Sequence, residues 1–335
     1  MSLPLVPARL PRMLLSTRAT CAFLLAVGLL APGPASPLAG RSAAQNRARS
    51  ESGPFLGQPL PGDTPVVFAP GEVSTEAREL GVVFAPDGRE IYYTRVVEKL
   101  PMLFRRRLLD GRWSAEERLA LVAGQPDADH SDPAISPDGQ RLYFVSGART
   151  DAFAPGGNIW MARRQGAGWG AAELLPAPVN SDGGELYPIA VADGSLYFAS
   201  NRSGGLGEQD IYRAQYRDGA FVEAVNLGAP INTAMTEVDP YVSPDERTLV
   251  VAARREGNRG ALDLYASVRT ASGGWTPLTP LGAAVNTELT DYCPMLSPDG
   301  QYFFFSRRTA QGGDIYWMRA SGLVPPVTPG RPPGK

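Results

Sequence analysis

From residue 85 onward the chain repeats one pattern: a polar turn, a run crowded with aromatic and β-branched residues, then a second short apolar run. The copies are APDGREIYYT (85–94), SPDGQRLYFVS (136–146), ADGSLYFAS (192–200), SPDERTLVVAA (243–253) and SPDGQYFFFS (297–306). Their turn aspartates Asp87, Asp138, Asp193, Asp245 and Asp299 lie 51, 55, 52 and 54 residues apart. In Pro-Asp-Gly, proline presets φ, aspartate bonds the backbone ahead and glycine accepts positive φ, so each copy predicts a hairpin. A third strand follows in MLFRRRL (102–108), NIWMARR (158–164), DIYRAQY (210–216), DLYASVR (263–269) and DIYWMRA (314–320). A fourth opens at Trp113, Trp169, Phe221 and Trp275 and runs towards Gln125, Asn180, Asn232 and Asn286.

Four short antiparallel strands per unit of about 50 residues, with no amphipathic helical stretch between units, predict the blades of a β-propeller. The ends of the chain predict its closure. A strand-four copy stands alone near 65–68, before the first hairpin, and the last copy ends after its third strand near Arg319. The expected architecture is all-β: a five-bladed propeller of four-stranded antiparallel blades, in which the N-terminal strand completes the last blade and removes the free sheet edges. The N-terminal copy lacks the aromatic that opens strand four, a place that Phe55 would fill.

SPDG followed by LYF, the GG-x-G-x-x-D-I-Y run at 204–212 and LGAPINT at 227–233 resemble the WD-like repeats of TolB-type periplasmic propellers. They look closest to the propeller modules of cell-envelope proteins that also carry a peptidoglycan-binding domain. The resemblance covers about residues 60–322 and implies a scaffold or protein-binding module; unlike in those multidomain relatives, no second domain is expected beside the propeller.

Composition adds location. The first 35 residues hold Arg9, Arg12 and Arg18 and no acid, followed by the apolar run 21–31 and PGPAS, the pattern of a cleaved secretory signal with Gly33 and Ala35 at the cut. Residues 36–58 read as a flexible linker, 59–323 as the propeller and 324–335 as a proline-rich disordered tail. A periplasmic or secreted protein with no transmembrane span in the mature chain is expected. The net charge of −2 excludes the basic field that nucleic acid requires. Cys293 is the one cysteine beyond the signal, so no intramolecular disulfide forms there, and it reads as a buried core thiol.

Candidate chemistry gathers at one repeat position. The chain's single histidine lies in DADHSD (127–132), where the other repeats place an acid, giving the set Glu79, His130, Glu185, Glu237 and Asp291. Each precedes the innermost strand of its blade, so all five are expected near one mouth of the channel. One reading makes them clips that accept backbone hydrogen bonds between blades; the other makes them a ring that binds a basic group of a partner. Glu79 and Glu185 beside His130 would favour the imidazolium and make it a pH-sensitive clip. Asp127, Asp129 and Asp132 lack the glycine and distal glutamate of a calcium loop and read as a solvated acidic segment, so no metal and no cofactor is expected.

Enzyme motifs are sparse. No G-x-S-x-G elbow is present, and GGLGEQD (204–210) precedes no helix that would bind phosphate. The reading is an exported, non-enzymatic propeller that binds an envelope protein or peptide, alone or as one subunit of a larger assembly. The alternative is a glycan hydrolase using two carboxylates at the channel mouth.

Overall fold

The computed structural model describes residues 53–150, 152–153, 157–310 and 312–323. The expected signal segment, most of the expected linker and the tail lie outside these. Strand β1 (Val66–Val67) comes first. Blade 1 follows as β2 (Arg78–Phe84), β3 (Glu90–Val97), β4 (Leu100–Leu109) and two outer pieces, β5 (Arg112–Trp113) and β6 (Glu117–Leu119). Blade 2 repeats this with β7 (Ser131–Ile135), β8 (Arg141–Ser146), β9 (Asn158–Gln165), β10 (Gly168–Trp169) and β11 (Glu173–Leu174). Blade 3 is β12 (Glu185–Ala190), β13 (Leu196–Ser200), β14 (Asp210–Arg217) and β15 (Ala220–Asn226). Blade 4 is β16 (Thr236–Val242), β17 (Thr248–Arg254), β18 (Asp263–Val268) and β19 (Thr279–Pro280).

The last blade closes the ring as the repeat count predicts. Strands β20 (Thr290–Leu296), β21 (Tyr302–Arg308) and β22 (Asp314–Arg319) take β1 as their fourth strand, with Val66 opposite Trp317 and Val67 opposite Tyr316. First strands of successive blades touch in the order β2, β7, β12, β16, β20 and back to β2. The architecture is therefore a closed five-bladed β-propeller.

Blades pack face to face, so their second strands are apolar on both sides, as in the fully buried Leu196–Ser200. The turns behave as their residues dictate: Asp87, Asp138, Asp193, Asp245 and Asp299 each accept a hydrogen bond from the backbone amide two residues on. Glu246 takes the glycine place of that turn with φ 56°, and its carboxylate binds Arg213 Nε at 2.7 Å. Of the aromatics opening strand four, Trp169 packs between blades, its Nε1 donating to Tyr92 of blade 1 at 2.9 Å, whereas Phe221 packs on Tyr216 of its own blade.

Within the expected linker 36–58, Phe55 and Leu56 lie against the propeller. Phe55 packs on Phe84, Tyr302, Phe304 and Trp317, and Leu56 is fully buried. An aromatic from outside the repeat fills the place where the N-terminal strand four lacks one.

Candidate functional site

All five residues of the expected mouth set sit at equivalent places, but their side chains point into protein. Glu79, Glu185, Glu237 and Asp291 are each 0% exposed and His130 is 1% exposed. Each carboxylate caps the loop arriving from the previous blade, accepting the backbone amide and the hydroxyl of the residue four before it: Thr75, Ser181, Thr233 and Thr287. Each also pairs with an arginine on the neighbouring strand or just past its end: Arg95 with Glu79 at 2.9 Å, Arg202 with Glu185 at 3.1 Å, Arg255 with Glu237 at 3.2 Å and Arg307 with Asp291 at 2.7 Å. The same arginines bond carbonyls of the inter-blade loop, as Arg95 does at Glu72 and Val73. Burial raises the pKa of Glu79, Glu237 and Asp291 from the ordinary value, with the hydroxyl and arginine partners pulling the other way. These acids hold blades together; a molecule at the mouth meets the loops above them.

The asparagines before these acids act alongside. Asn180, Asn232 and Asn286 accept from and donate to the backbone of Ile159, Ile211 and Leu264, replacing one rung of a strand ladder with a side-chain amide.

His130 is the exception, with a local cause. The residue four before it is Pro126, which has neither amide proton nor hydroxyl, and Ser146 and Ala148 stand on β8 and just beyond it where other blades place arginine. A carboxylate here would lack the partners it has elsewhere. The imidazole instead accepts the Leu121 amide at Nε2 (3.1 Å), lies 2.6 Å from the Asp129 carbonyl through Nδ1 and stacks on Phe144. Burial lowers its pKa, against a smaller upward pull from Asp129. The expected imidazolium between two glutamates is therefore corrected: the ring meets a backbone amide, a carbonyl, the Ser146 hydroxyl and an aromatic face, and no glutamate among the described residues, so burial rather than a neighbouring charge sets the direction of its shift.

Two residues beyond each member of this set the chain bulges towards the channel axis. Register shifts fall at this point in all five blades. The bulged residues are Gly81, Asp132, Tyr187, Asp239 and Cys293, and the four non-glycines sit at φ 51°, 52°, 51° and 49°. A bulge re-aims a side chain that regular pleating would direct into a blade face. Together with Pro133, Pro188, Pro240 and Pro294 they line a cavity of about 40 Å³. Gly81 provides room for Cys293, since a Cβ on it would lie 3.3 Å from the cysteine Cβ.

This inner set was missed because its members are unlike one another. Asp132, read from sequence as part of a solvated segment, faces the channel, whereas Asp127 is 94% exposed as expected. Cys293 lines the same cavity and is half-buried. Asp239 is 3% exposed; its Oδ2 accepts the Cys293 amide at 2.9 Å, and its Oδ1 is buried with no hydrogen-bond partner among the described residues. Burial pushes Asp132 up to about 8, aided by the charge of Asp239, and pushes Asp239 up to about 7. It raises Tyr187 and Cys293 well above their ordinary values, so both are neutral. Arg78 on the rim lies in the field of Tyr292, Tyr187 and Cys293. No cluster of three His, Cys, Asp or Glu able to hold a metal ion is present among the described residues.

On loops beside the first strands of blades 4 and 5, Leu206, Met235 and Leu289 are 53%, 38% and 43% exposed. Met235 and Leu289 occupy the same inter-blade position, two before Glu237 and Asp291, and the loop carrying Leu206 is fixed to Met235 through the Glu208 amide.

No family model matches this chain, and no curated protein matches it. Among solved structures it is similar to TolB from Acinetobacter baumannii, with 19% identity and a TM-score of 0.46, covering 74% of this chain and 53% of that one. It is similar to a prolyl endopeptidase at 13% identity and 0.41, covering 80% of this chain and 35% of that one. The catalytic domain of the Coprinopsis cinerea GH62 α-L-arabinofuranosidase gives 12% and 0.49, covering 80% and 96%. The chain thus spans about half of the TolB structure and about a third of the endopeptidase. At these values the fold assignment rests on the strand order described above.

Proposed function

We propose that this propeller is an exported, non-enzymatic binding module that takes a protein or peptide partner of the cell envelope at the channel mouth. The observation that carries this reading is a contrast in exposure and size: Leu206, Met235 and Leu289 are exposed on loops of blades 3 to 5, whereas the channel neck, lined by apolar side chains around Asp132 and Asp239, is only about 40 Å³. Binding surfaces for proteins combine apolar contacts with a few convergent polar groups, whereas pockets for small molecules have roughly 300–1,000 Å³. A neck of this size admits the end of a side chain, not a sugar ring. Export rests on the three arginines, apolar run and small-residue cut at the N-terminus.

The second reading, a glycan hydrolase, draws on Asp132 and Asp239 as carboxyls that come from different blades and lie well above their ordinary values. A catalytic pair needs one carboxyl protonated and the other ionised, which takes two unlike environments. Here burial governs both.

A pull-down from envelope extract with the exported chain, repeated with Met235→Asp and Leu289→Asp, tests the first reading. A partner retained by the parent and lost by the folded variants supports it; release of sugar from envelope polysaccharide with no retained protein supports the second.

A further inference from the structure

Two carboxyls converge on the channel neck from non-adjacent blades, Asp132 from blade 2 and Asp239 from blade 4, with Tyr187 of blade 3 between them. Asp239 lines this cavity, and its Oδ1 is buried with no hydrogen-bond partner among the described residues. A buried acceptor of this kind costs free energy until a donor reaches it. Charge is unbalanced too. The groups facing the neck or acting on it are Asp132, Asp239, Asp129, Tyr187, Tyr292, Cys293 and Arg78, and the arginine acts on the tyrosines and the cysteine rather than lying against either aspartate.

What fits must be cationic, small and rich in donors. Calcium takes about six to eight oxygens at short range, and these side chains do not close into such a cluster. A quaternary ammonium has no donor to offer and a guanidinium holds its five in a rigid planar fork, while a primary ammonium is a compact charge with three rotatable donors. We propose that the neck binds one primary ammonium group, the lysine end or α-amine of an inserted peptide, between the carboxylates of Asp132 and Asp239. This rests on the peptide-binding reading of the mouth. Tyr187 and Cys293, held neutral by burial, add no competing charge. Since both aspartates hold protons more tightly than usual, entry of the cation expels a proton.

The test is calorimetry on the full chain with methylammonium, N-acetyl-lysine amide and glycine amide, against tetramethylammonium, potassium and calcium chlorides, in two buffers of different ionisation enthalpy. Methylammonium should bind with proton release and tetramethylammonium should not; the blocked lysine and glycine amide distinguish a side chain from a chain terminus. Asp239→Asn should weaken methylammonium roughly tenfold or more. If that variant does not fold, protection of Cys293 from alkylation by methylammonium but not tetramethylammonium, measured in a Cys21→Ser background, gives the same answer. Absence of methylammonium binding, equal binding by Asp239→Asn, or preference for potassium or calcium overturns the proposal. Capture of an envelope partner equally by wild type and Asp239→Asn sinks the ammonium site while leaving the binding module standing; methylammonium binding with no partner captured does the reverse.

Discussion

Arg307 lies directly across the sheet from Asp291, with Nε 2.7 Å from Oδ1 and the carboxylate wholly buried. Arg95 and Glu79 stand in the same relation in blade 1, and in blades 3 and 4 the arginine lies two residues beyond the one facing the acid. The device joins three parts: the inter-blade loop, the first strand and the second.

Removing one partner of such a pair leaves a buried charge uncompensated. Arg307→Met should therefore cost roughly 3–5 kcal/mol in urea unfolding, and combining it with Asp291→Leu should return part of that loss. A cost equal to that of an exposed ion pair, below about 1 kcal/mol, would show that the arginine is not part of the clip.

At the histidine position the missing partners make a stronger prediction. His130→Glu should destabilise the propeller by several kcal/mol, because a carboxylate there lacks the paired arginine and the amide and hydroxyl that the residue four before it supplies in the other blades. Adding Pro126→Thr and Ala148→Arg rebuilds the other blades' arrangement and should recover stability, read as an upward shift in melting temperature. A proton NMR titration of wild-type His130 should give a pKa below that of a short peptide containing the same residues.

The channel carboxyls set a pH dependence of definite sign. Folded Asp132 and Asp239 keep protons to about 8 and about 7, while the unfolded chain releases them near 3.8. Between these limits the unfolded state binds fewer protons, so stability contributed here falls as pH rises from about 4 to about 8. Glu79, Glu237 and Asp291 act in the same direction; His130, lowered, acts oppositely below its ordinary value of 6.5. Asp239→Asn should flatten the decline in melting temperature between pH 5 and 9, and an unchanged slope would refute the assignment.

Ring closure depends on the N-terminal strand. Phe68 is fully buried against Phe84, Phe304 and Trp317, and its backbone amide donates to Ile315 at 2.8 Å. Phe68→Ala should cost roughly 3–5 kcal/mol, and removing residues before 69 should replace one cooperative unfolding transition with a broad one.

The sequence by itself determined the blades. Pro-Asp-Gly turns, aromatic runs and a solitary strand-four copy at the N-terminus specify hairpins and closure locally, and recurrence multiplies the signal. It also located Glu79, His130, Glu185, Glu237 and Asp291, and Thr75, Pro126, Ser181, Thr233 and Thr287 four residues earlier carried the reason why the histidine differs. Whether those acids face solvent or protein was not legible, because it depends on where arginines of a neighbouring strand end up. Gly81, Asp132, Tyr187, Asp239 and Cys293 share no residue type, so no repeat search brings them together. Only closure of the ring makes them neighbours: each bulge aims its residue at the axis, and what that residue meets there comes from blades distant in the chain.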